Sequence, residues 1–418
     1  MIINTTNDKK FEEVILQKFL LTFIVLLFIR LGTFIPVPGV NHNDLMFYLE
    51  RHSFTKTFVS TFSGDNSFAL GLFTLNIIPY INASIFIQLL VNIFPNLKKL
   101  QREGGVSGRR TINRLTRSLT LLFAIIQSTS IAFYLKRILF DWNLYLGFEV
   151  ILWLTAGAMI VLWMSELVTD YGLGNGASLL IYINIISNFP NLLKAIIADN
   201  LSFSLNILIL IAFLFSLCGI VLLQRGVRKI SLISSRELNK LSSNYSNRVD
   251  NYLPLSLNQS GVMPIILTTA VLVIPGYINN LGILPQLNFP MISQISKFIY
   301  WIVYFVLIVQ LNSFYSTIIL NPKDISNDLQ KMGVAVSGVR PGIETTFYLS
   351  RNMERMTLLG SIILAILATG PNLIEMIFNI SSLNGFSVTS FLIVGGVILD
   401  IFREIRSIYY STIYNKMY

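Results

Sequence analysis

Ionisable side chains are scarce in the long apolar runs of this sequence, and most of them lie near the ends of those runs. The set is Arg30, Glu166, Glu375 and Asp400. A transporter that couples to protons or sodium usually places acidic groups or broken-helix carbonyls near the bilayer midplane. The sequence offers little of that chemistry, and Arg30 can extend its head group to the membrane surface from the end of its run.

Metal, redox and phosphate chemistry are also disfavoured. Cys218 is the single cysteine and lies in an apolar run, so it can form no internal disulfide. His42 and His52 share one connection that has no Cys or acidic pair at ligand spacing. The glycine-rich stretch 172–176 lacks the register, the preceding strand and the lysine of a phosphate loop. We therefore expect no cofactor, no catalytic residue and no nucleotide site.

The apolar runs do offer isoleucine at helical spacing. Ile77 and Ile81 would share one helix face, as would Ile181 and Ile185, because the members of each pair are one turn apart. In a sequence so rich in isoleucine, ordinary helix packing produces the same spacing. Periodicity alone therefore leaves two interpretations open, a pore lining and a packing face.

Composition assigns the chain to the integral membrane proteins. Its 418 residues are 53% hydrophobic and 12% charged, with a mean hydropathy of +0.65, which does not suit a soluble core inside a polar surface. A membrane helix needs about 20 consecutive apolar residues. Ten such spans are predicted, near 15–35, 74–94, 115–135, 148–168, 176–197, 203–223, 261–279, 298–319, 356–377 and 388–402.

The charge distribution predicts the orientation of these spans. Most of the 31 Lys and Arg residues fall on the side of the membrane that holds the N-terminus, which predicts an inside N-terminus. Three inside connections are long and basic, namely 95–114, 224–258 and 320–355. A positive face of this kind would also attract an acidic protein or RNA, although topology alone explains it equally well.

The connection 36–73 is too long for a turn and contains the weakly apolar stretch FVSTFSGDNSFALGLF. This stretch is too short and too polar to cross lipid, so it is expected to fold back into protein or a cavity. An interfacial helix or an ordered loop is the alternative. Ten spans with an inside N-terminus also permit two inverted halves of five spans each, but no clear sequence echo between the halves demonstrates them.

Six blocks, in order, resemble one family. They are RLGTFIPVPGV (30–40), FSGDNSFALGLFTLNIIPYINASIFIQLL (62–90), EGGVSGRRTINRLTR (103–117), SELVTDYGLGNGAS (165–178), QRGVRKI (224–230) and NPKDISNDLQKMGVAVSGVRPG (321–342). From about residue 14 to 410 the chain resembles the SecY family of protein-conducting channels. The resemblance implies an all-α integral membrane fold of ten transmembrane helices. These form two pseudo-symmetric inverted five-helix halves, 1–200 and 201–418, with a short re-entrant plug helix at about 62–73.

The resemblance also implies roles for individual residues. The family closes its channel with a ring of branched aliphatic side chains, which passes an extended chain without directional hydrogen bonds and disfavours hydrated ions. The ring positions match Ile77, Ile81, Ile181, Ile185, Ile266 and Ile393. The plug that rests under the ring in the idle channel matches Phe62, Ser63, Gly64, Ser67, Phe68 and Leu72.

Two further groups of residues match functional positions of the family. Asn82, Gln127 and Asn258 fall along its lateral gate, where interhelical hydrogen bonds in membranes are weak enough to open. The basic residues that would engage a ribosome or the SecA motor are Arg225, Arg228, Lys229 and Arg340. Asn76 departs from the family pattern, because the family more often has Gly there, and this leaves the local plug fit or helix packing open.

The implied function is that of the central channel subunit of the Sec protein translocase. It would pass unfolded preproteins across a membrane and release transmembrane segments laterally into lipid, with energy from a partner and no enzymatic activity of its own. The expected partners are a SecE-like subunit, SecA or a ribosome, preprotein substrates and membrane lipid, and a SecG-like subunit is left open. A secondary transporter of small solutes is the runner-up.

The residue usage bears on the compartment. The chain is rich in Ile, Asn, Lys, Phe and Tyr, as AT-rich genomes encode, and no transit peptide is visible. This indicates a plastid-encoded protein of an algal chloroplast thylakoid membrane, with a bacterial inner membrane as the alternative.

Overall fold

The computed structural model describes most of the chain. The described residues are 5–38, 71–136, 143–198, 203–234, 251–259, 261, 264–265, 267–268, 292–378 and 388–414.

Helices dominate the described residues. They are α1 Thr5–Gly32, α2 Ile78–Ile93, α3 Pro95–Glu103, α4 Gly105–Leu135, α5 Leu144–Tyr171, α6 Gly176–Ala198, α7 Phe203–Arg225, α8 Ile292–Ile319, α9 Pro322–Lys331, α10 Ile343–Phe378 and α11 Val388–Tyr414. Three short strands join them, namely β1 Val227–Ser234, β2 Tyr252–Ser256 and β3 Val334–Val336.

The helices follow the predicted spans. Among the described residues, every helix except α3 and α9 overlaps one of the spans, and the seventh span, 261–279, lies mostly outside the described residues. By length and composition, five described helices could cross a membrane, or six if the bent pair α2 and α3 is one span. The 109° bend in that pair coincides with Pro95 at the start of α3, where a missing N–H costs little.

The first helix illustrates how the sequence suits lipid. Leu16, Phe19 and Phe23 are more than half exposed, as expected of a helix whose outer surface contacts acyl chains. Thr22 is buried, and its hydroxyl donates a 2.7 Å hydrogen bond to the carbonyl oxygen of Phe19. Polar groups within the bilayer are satisfied internally in this way.

The chain divides into two compact units. The first comprises residues 1–193 and 397–418, and the second comprises 194–396. The predicted boundary between five-helix halves at residue 200 stays a prediction. In the second unit, one buried cluster joins α7, α8 and α10. It consists of Ile220, Leu223, Ile265, Tyr304, Ile308, Leu364, Ala365, Leu367 and Ala368.

The small sheet unites two of the predicted basic loops, 224–258 and 320–355. Its strand order is β2-β1-β3, with both neighbouring pairs antiparallel. A second cluster lies under it, formed by Ile230, Leu255, Leu329, Val336, Leu349 and Met353. The sequence does not predict this pairing, because strands as short as β3 leave little signal of their partners.

Pro254 suits the open edge of this sheet. It pairs with Lys229, and on either side of that pair the N–H groups of Leu257 and Leu232 donate to the carbonyls of Gly226 and Asn251 at 2.8 Å. Hydrogen-bonded and non-hydrogen-bonded pairs alternate along an antiparallel ladder, so the backbone nitrogen of residue 254 faces away from β1. Proline there costs no ladder bond and removes a donor from the edge.

Candidate functional site

The segment that leads into α2 is attached to the end of α1. Gly71 forms an isolated antiparallel bridge with Pro36, and the N–H of Leu72 donates a 2.8 Å hydrogen bond to the carbonyl oxygen of Ile35. The hydroxyl of Thr74 donates to the carbonyl oxygen of Gly71 at 2.6 Å. These contacts fix the backbone immediately before the predicted ring position Ile77.

Close backbone packing holds the same segment from two sides. A Cβ added to Gly32 in α1 would lie 2.0 Å from Cε2 of Phe73, and a Cβ added to Gly157 in α5 would lie 2.0 Å from the carbonyl oxygen of Leu72. Both helices therefore need glycine for this approach. Leu72 is the predicted plug residue that the structure describes, and the other five lie outside the described residues.

Asn76 occupies a left-handed backbone conformation, with φ at +48°. Its Oδ1 accepts a 2.8 Å hydrogen bond from the N–H of Ile77, and the residue is buried. Asparagine is among the few residues besides glycine that tolerate this region. Asparagine at this position therefore suits the left-handed backbone and adds a hydrogen bond.

The ring residues of the first unit differ in burial. Ile77 and Ile81 are 2% and 5% exposed, and the N–H of Ile81 donates to the carbonyl oxygen of Ile77 at 3.1 Å. Pro79 lies within the first two positions of α2, where its missing N–H is not needed. Ile181 and Ile185 are half-buried in α6. Of the last two ring residues, Ile266 lies outside the described residues, and the side chain of Ile393 is not described.

The predicted gate residues Asn82 and Gln127 lie on α2 and α4. These helices meet at Phe86 and Phe123, whose ring centroids are 6.1 Å apart and whose planes meet at 75°. Consecutive spans run in opposite directions. Asn82 is one turn before Phe86, and Gln127 is one turn after Phe123, so the two polar residues are expected at the same depth in the membrane. The Oε1 of Gln127 is buried and accepts no hydrogen bond within the described residues.

An ion pair that sequence analysis did not identify joins α4 to α5. The Nε of Arg117 lies 2.7 Å from Oε1 of Glu166. The signal available in the sequence was one acidic and one basic residue near the inside ends of neighbouring spans. Such pairs form where helices pack, which the sequence does not specify.

The four predicted motor- or ribosome-binding residues belong to one part of the second unit, which we call the basic platform. It comprises Arg225, Arg228, Lys229 and Arg340, all exposed, together with the sheet and the loop 337–342 that carry them. The two loops are joined directly, because the N–H of Ser337 donates to the carbonyl oxygen of Ser231 at 3.1 Å. The charges were predictable from the sequence, but this junction was not.

Neighbouring groups support two residues of the basic platform, Lys229 through its side chain and Arg340 through its backbone. The Nζ of Lys229 lies 4.7 Å from the ring centroid of Tyr252 on the neighbouring strand, a cation–π distance. The carbonyl oxygen of Arg340 accepts a 2.7 Å hydrogen bond from the hydroxyl of Thr345, and the carbonyl of Gly342 accepts one of 2.9 Å from Ser326. The side chain of Arg340 is exposed while its backbone is fixed, which favours docking of an anionic partner.

Comparison with known proteins identifies the family. The SecY family model matches residues 71–402, which is more than half of the chain. The chain belongs to the SecY family.

Curated relatives match over nearly the whole length of this SecY-family chain. The protein translocase subunit SecY of Trieres chinensis is 55% identical and covers 99% of both chains. The subunit of the same name from Guillardia theta is 40% identical, covering 99% of this chain and all of its own. That of Synechococcus elongatus is 37% identical, covering all of this chain and 99% of its own. The predicted function as the central channel subunit of a protein translocase is thereby confirmed.

Solved structures confirm the fold. A structure described as a protein conducting channel aligns with a TM-score of 0.65 at 19% identity, covering 95% of this chain and 93% of its own. Sec61 from the canine ribosome-channel complex of the endoplasmic reticulum aligns with a TM-score of 0.62 at 18% identity and the same coverage. The predicted multi-pass membrane fold of the SecY type is confirmed, and relatives from plastids and cyanobacteria match its sequence.

Proposed function

We propose that this chain passes unfolded preproteins through an apolar constriction and releases transmembrane segments sideways into lipid. The observation that supports this most strongly is the placement of Ile77 and Ile81. Both are buried at the start of α2, directly after a segment that glycine contacts and hydrogen bonds fix in place. A constriction needs apolar groups held on a rigid frame, because a loosely held ring would leak.

The proposed constriction is a ring of isoleucine side chains. A closed ring of isoleucine side chains dewets and so resists ion flow, yet it makes no directional bonds that would select among sequences. Its members are Ile77, Ile81, Ile181, Ile185, Ile266 and Ile393. The segment 62–73 acts as the plug below it, and the anchoring of Leu72 to the end of α1 supports a plug whose C-terminal end is fixed.

The proposed lateral gate uses Asn82, Gln127 and Asn258. The buried Oε1 of Gln127, which has no hydrogen-bond donor among the described residues, supports this role, because a polar atom at a seam gains a partner when a substrate segment or water enters. Interhelical hydrogen bonds in membranes average about 0.6 kcal/mol. A seam built on such bonds can open and close.

The proposed energy source is a partner that docks on the basic platform. Four exposed cations on the sheet, the end of α7 and the loop 337–342 suit the phosphates of ribosomal RNA or an acidic surface of a SecA motor. Sec61 occurs in a ribosome-channel complex, which supports the ribosome as one such partner. A SecE-like subunit would clamp the two halves, and a SecG-like subunit is a further candidate.

The proposed location is the thylakoid membrane of a plastid. Matches to relatives from plastids and cyanobacteria support a plastid or bacterial membrane. The AT-rich residue usage favours the plastid.

The test is reconstitution. The full-length chain, with a SecE-like subunit, would be placed in proteoliposomes and supplied with SecA, ATP and a radiolabelled preprotein. We expect a protease-protected preprotein that depends on ATP and on this chain. Vesicles that carried a small solute down a proton or sodium gradient but protected no preprotein would overturn the proposal.

A further inference from the structure

The backbone between β2 and the seventh predicted span is clamped at Leu257. Its N–H donates a 2.8 Å hydrogen bond to the carbonyl oxygen of Gly226. A Cβ added to Gly360 in α10 would lie 2.1 Å from the Leu257 carbonyl oxygen, and one added to Gly226 would lie 2.2 Å from Leu257 Cδ1. Only glycine permits such approaches. Position 257 therefore cannot shift unless β1 or α10 moves with it.

Two residues later, Gln259 contacts α8 through its side chain. The hydroxyl of Ser316 donates a 2.8 Å hydrogen bond to Oε1 of Gln259, and Ser316 is 2% exposed. The Nε2 of Gln259 is also buried, with no hydrogen-bond partner in the described part of the chain. A half-satisfied buried carboxamide is costly. If Gln259 served only to fill space, an apolar side chain of similar size would do so at lower cost.

The segment also has apolar contacts with the buried cluster of the second unit. Ile265, Tyr304 and Ile308 are nearly fully buried, and Leu257 packs against the same cluster. Apolar contacts are not directional and tolerate small sliding movements. The hydrogen bond between Gln259 and Ser316 adds a contact that is satisfied in one position of the segment and lost in others.

A glycine with a left-handed backbone conformation lies two residues after Gln259. Gly261 has φ of +65°, and a Cβ added to it would meet no atom within 4 Å. Glycine is needed there for its conformation and not for close packing. Gln259 thus lies between a backbone held at Leu257 and an uncrowded glycine at Gly261, so its side-chain contact with Ser316 is the described link to α8 at this point.

We propose that Gln259 and Ser316 are a positioning pair that holds the backbone before the seventh predicted span against α8, and that loss of their hydrogen bond favours opening of the proposed lateral gate. The idea rests on the proposed function, in which Asn258 belongs to the lateral gate and Ile266 to the ring. An interhelical hydrogen bond in a membrane protein shifts an equilibrium by about threefold on average and about twentyfold at most. That is enough to bias a gate without locking it.

The test uses the full-length channel with its SecE-like subunit in proteoliposomes. Cys218→Ser removes the native thiol, and Asn258→Cys supplies a probe at the gate. One readout is the rate of thiol modification in the idle channel, and the other is translocation of a preprotein with a defective signal sequence. Ser316→Ala and the size-matched Gln259→Met should each raise both readouts by about threefold. Ser316→Thr, which keeps the hydroxyl, should restore the parent values.

The double variant separates a direct pair from two independent effects. Ser316→Ala with Gln259→Met should change both readouts no more than either single variant. Additive effects would overturn the pairing, as would unchanged readouts in a Gln259→Met channel with a normal thermal midpoint. Gln259→Met decides the outcome if Ser316→Ala does not fold. If Ile77→Asn relaxes signal stringency while Gln259→Met does not, only the positioning pair fails; if neither does, the proposed ring and gate fail.

Discussion

Oδ1 of Asn76 accepts a 2.8 Å hydrogen bond from the N–H of Ile77, while Asn76 itself holds φ at +48°. One residue thus supplies the left-handed turn at the start of α2 and satisfies a backbone donor that the helix leaves free. The turn also sets the direction in which Ile77 leaves the segment fixed by Leu72 and Thr74. The most constrained backbone position in the candidate site is therefore next to the first ring residue.

Substitution of Asn76 should separate conformation from hydrogen bonding. Asn76→Gly keeps the backbone free to adopt positive φ but loses a hydrogen bond, at about 1 kcal/mol. Asn76→Ala loses the same bond and adds about 1 kcal/mol or more of left-handed strain. We expect the thermal unfolding midpoint of the purified complex to fall further for Ala than for Gly. Asn113→Ala, at an exposed position of α4, is the control, and equal losses for Gly and Ala would contradict the prediction.

The ring predicts a specific loss of selectivity. Ile77→Asn places a polar group at the constriction, where it should support water and weaken the apolar seal. We expect several-fold more translocation of preproteins with defective signal sequences, together with a measurable ion leak in planar bilayers. Ile87→Asn is the matched control, since Ile87 is also buried in α2 but lies outside the ring. Equal leaks in both variants would indicate general destabilisation of α2.

The basic platform predicts a charge-dependent affinity. Arg340→Ala should weaken binding of a ribosome or SecA by about tenfold and lower the slope of log Kd against log salt by about 1 if the contact is to phosphate. Arg340→Lys should keep the salt slope but lose bidentate geometry. Binding is measured by sedimentation or fluorescence at several salt concentrations. Arg109→Ala removes an exposed charge from the first unit and should have a smaller effect; the reverse order would count against Arg340.

The contact between Gly157 and Leu72 predicts intolerance of a single methyl group. Gly157→Ala would place Cβ 2.0 Å from the Leu72 carbonyl oxygen, and the required displacement should cost about 1–3 kcal/mol. Gly370→Ala in α10 meets no atom within 4 Å and should be neutral or stabilising by about 1 kcal/mol. Denaturant or thermal unfolding of the two variants tests this contrast. A Gly157→Ala channel as stable as the parent would refute the close approach.

Much of the membrane architecture was predictable, and the reason is physical. Lipid requires about 20 apolar residues per span and internal pairing of every backbone polar group, so composition and run length alone placed the helices. The platform residues Arg225 and Arg340 were also predictable as charges on one side of the membrane. Their shared support was not, since the pairing of Leu232 with Val336 links segments far apart in the chain through a strand of three residues.

The sequence by itself determined the class of protein, the approximate spans and the family, because hydropathy and ordered motifs are local properties. Tertiary structure decided what depends on neighbours distant in sequence. It placed Gly157 against Leu72, Arg117 beside Glu166 and Ser316 beneath Gln259. Each contact depends on how helices pack. A polar side chain in an apolar run can be assigned a role only once its partner in the fold is known.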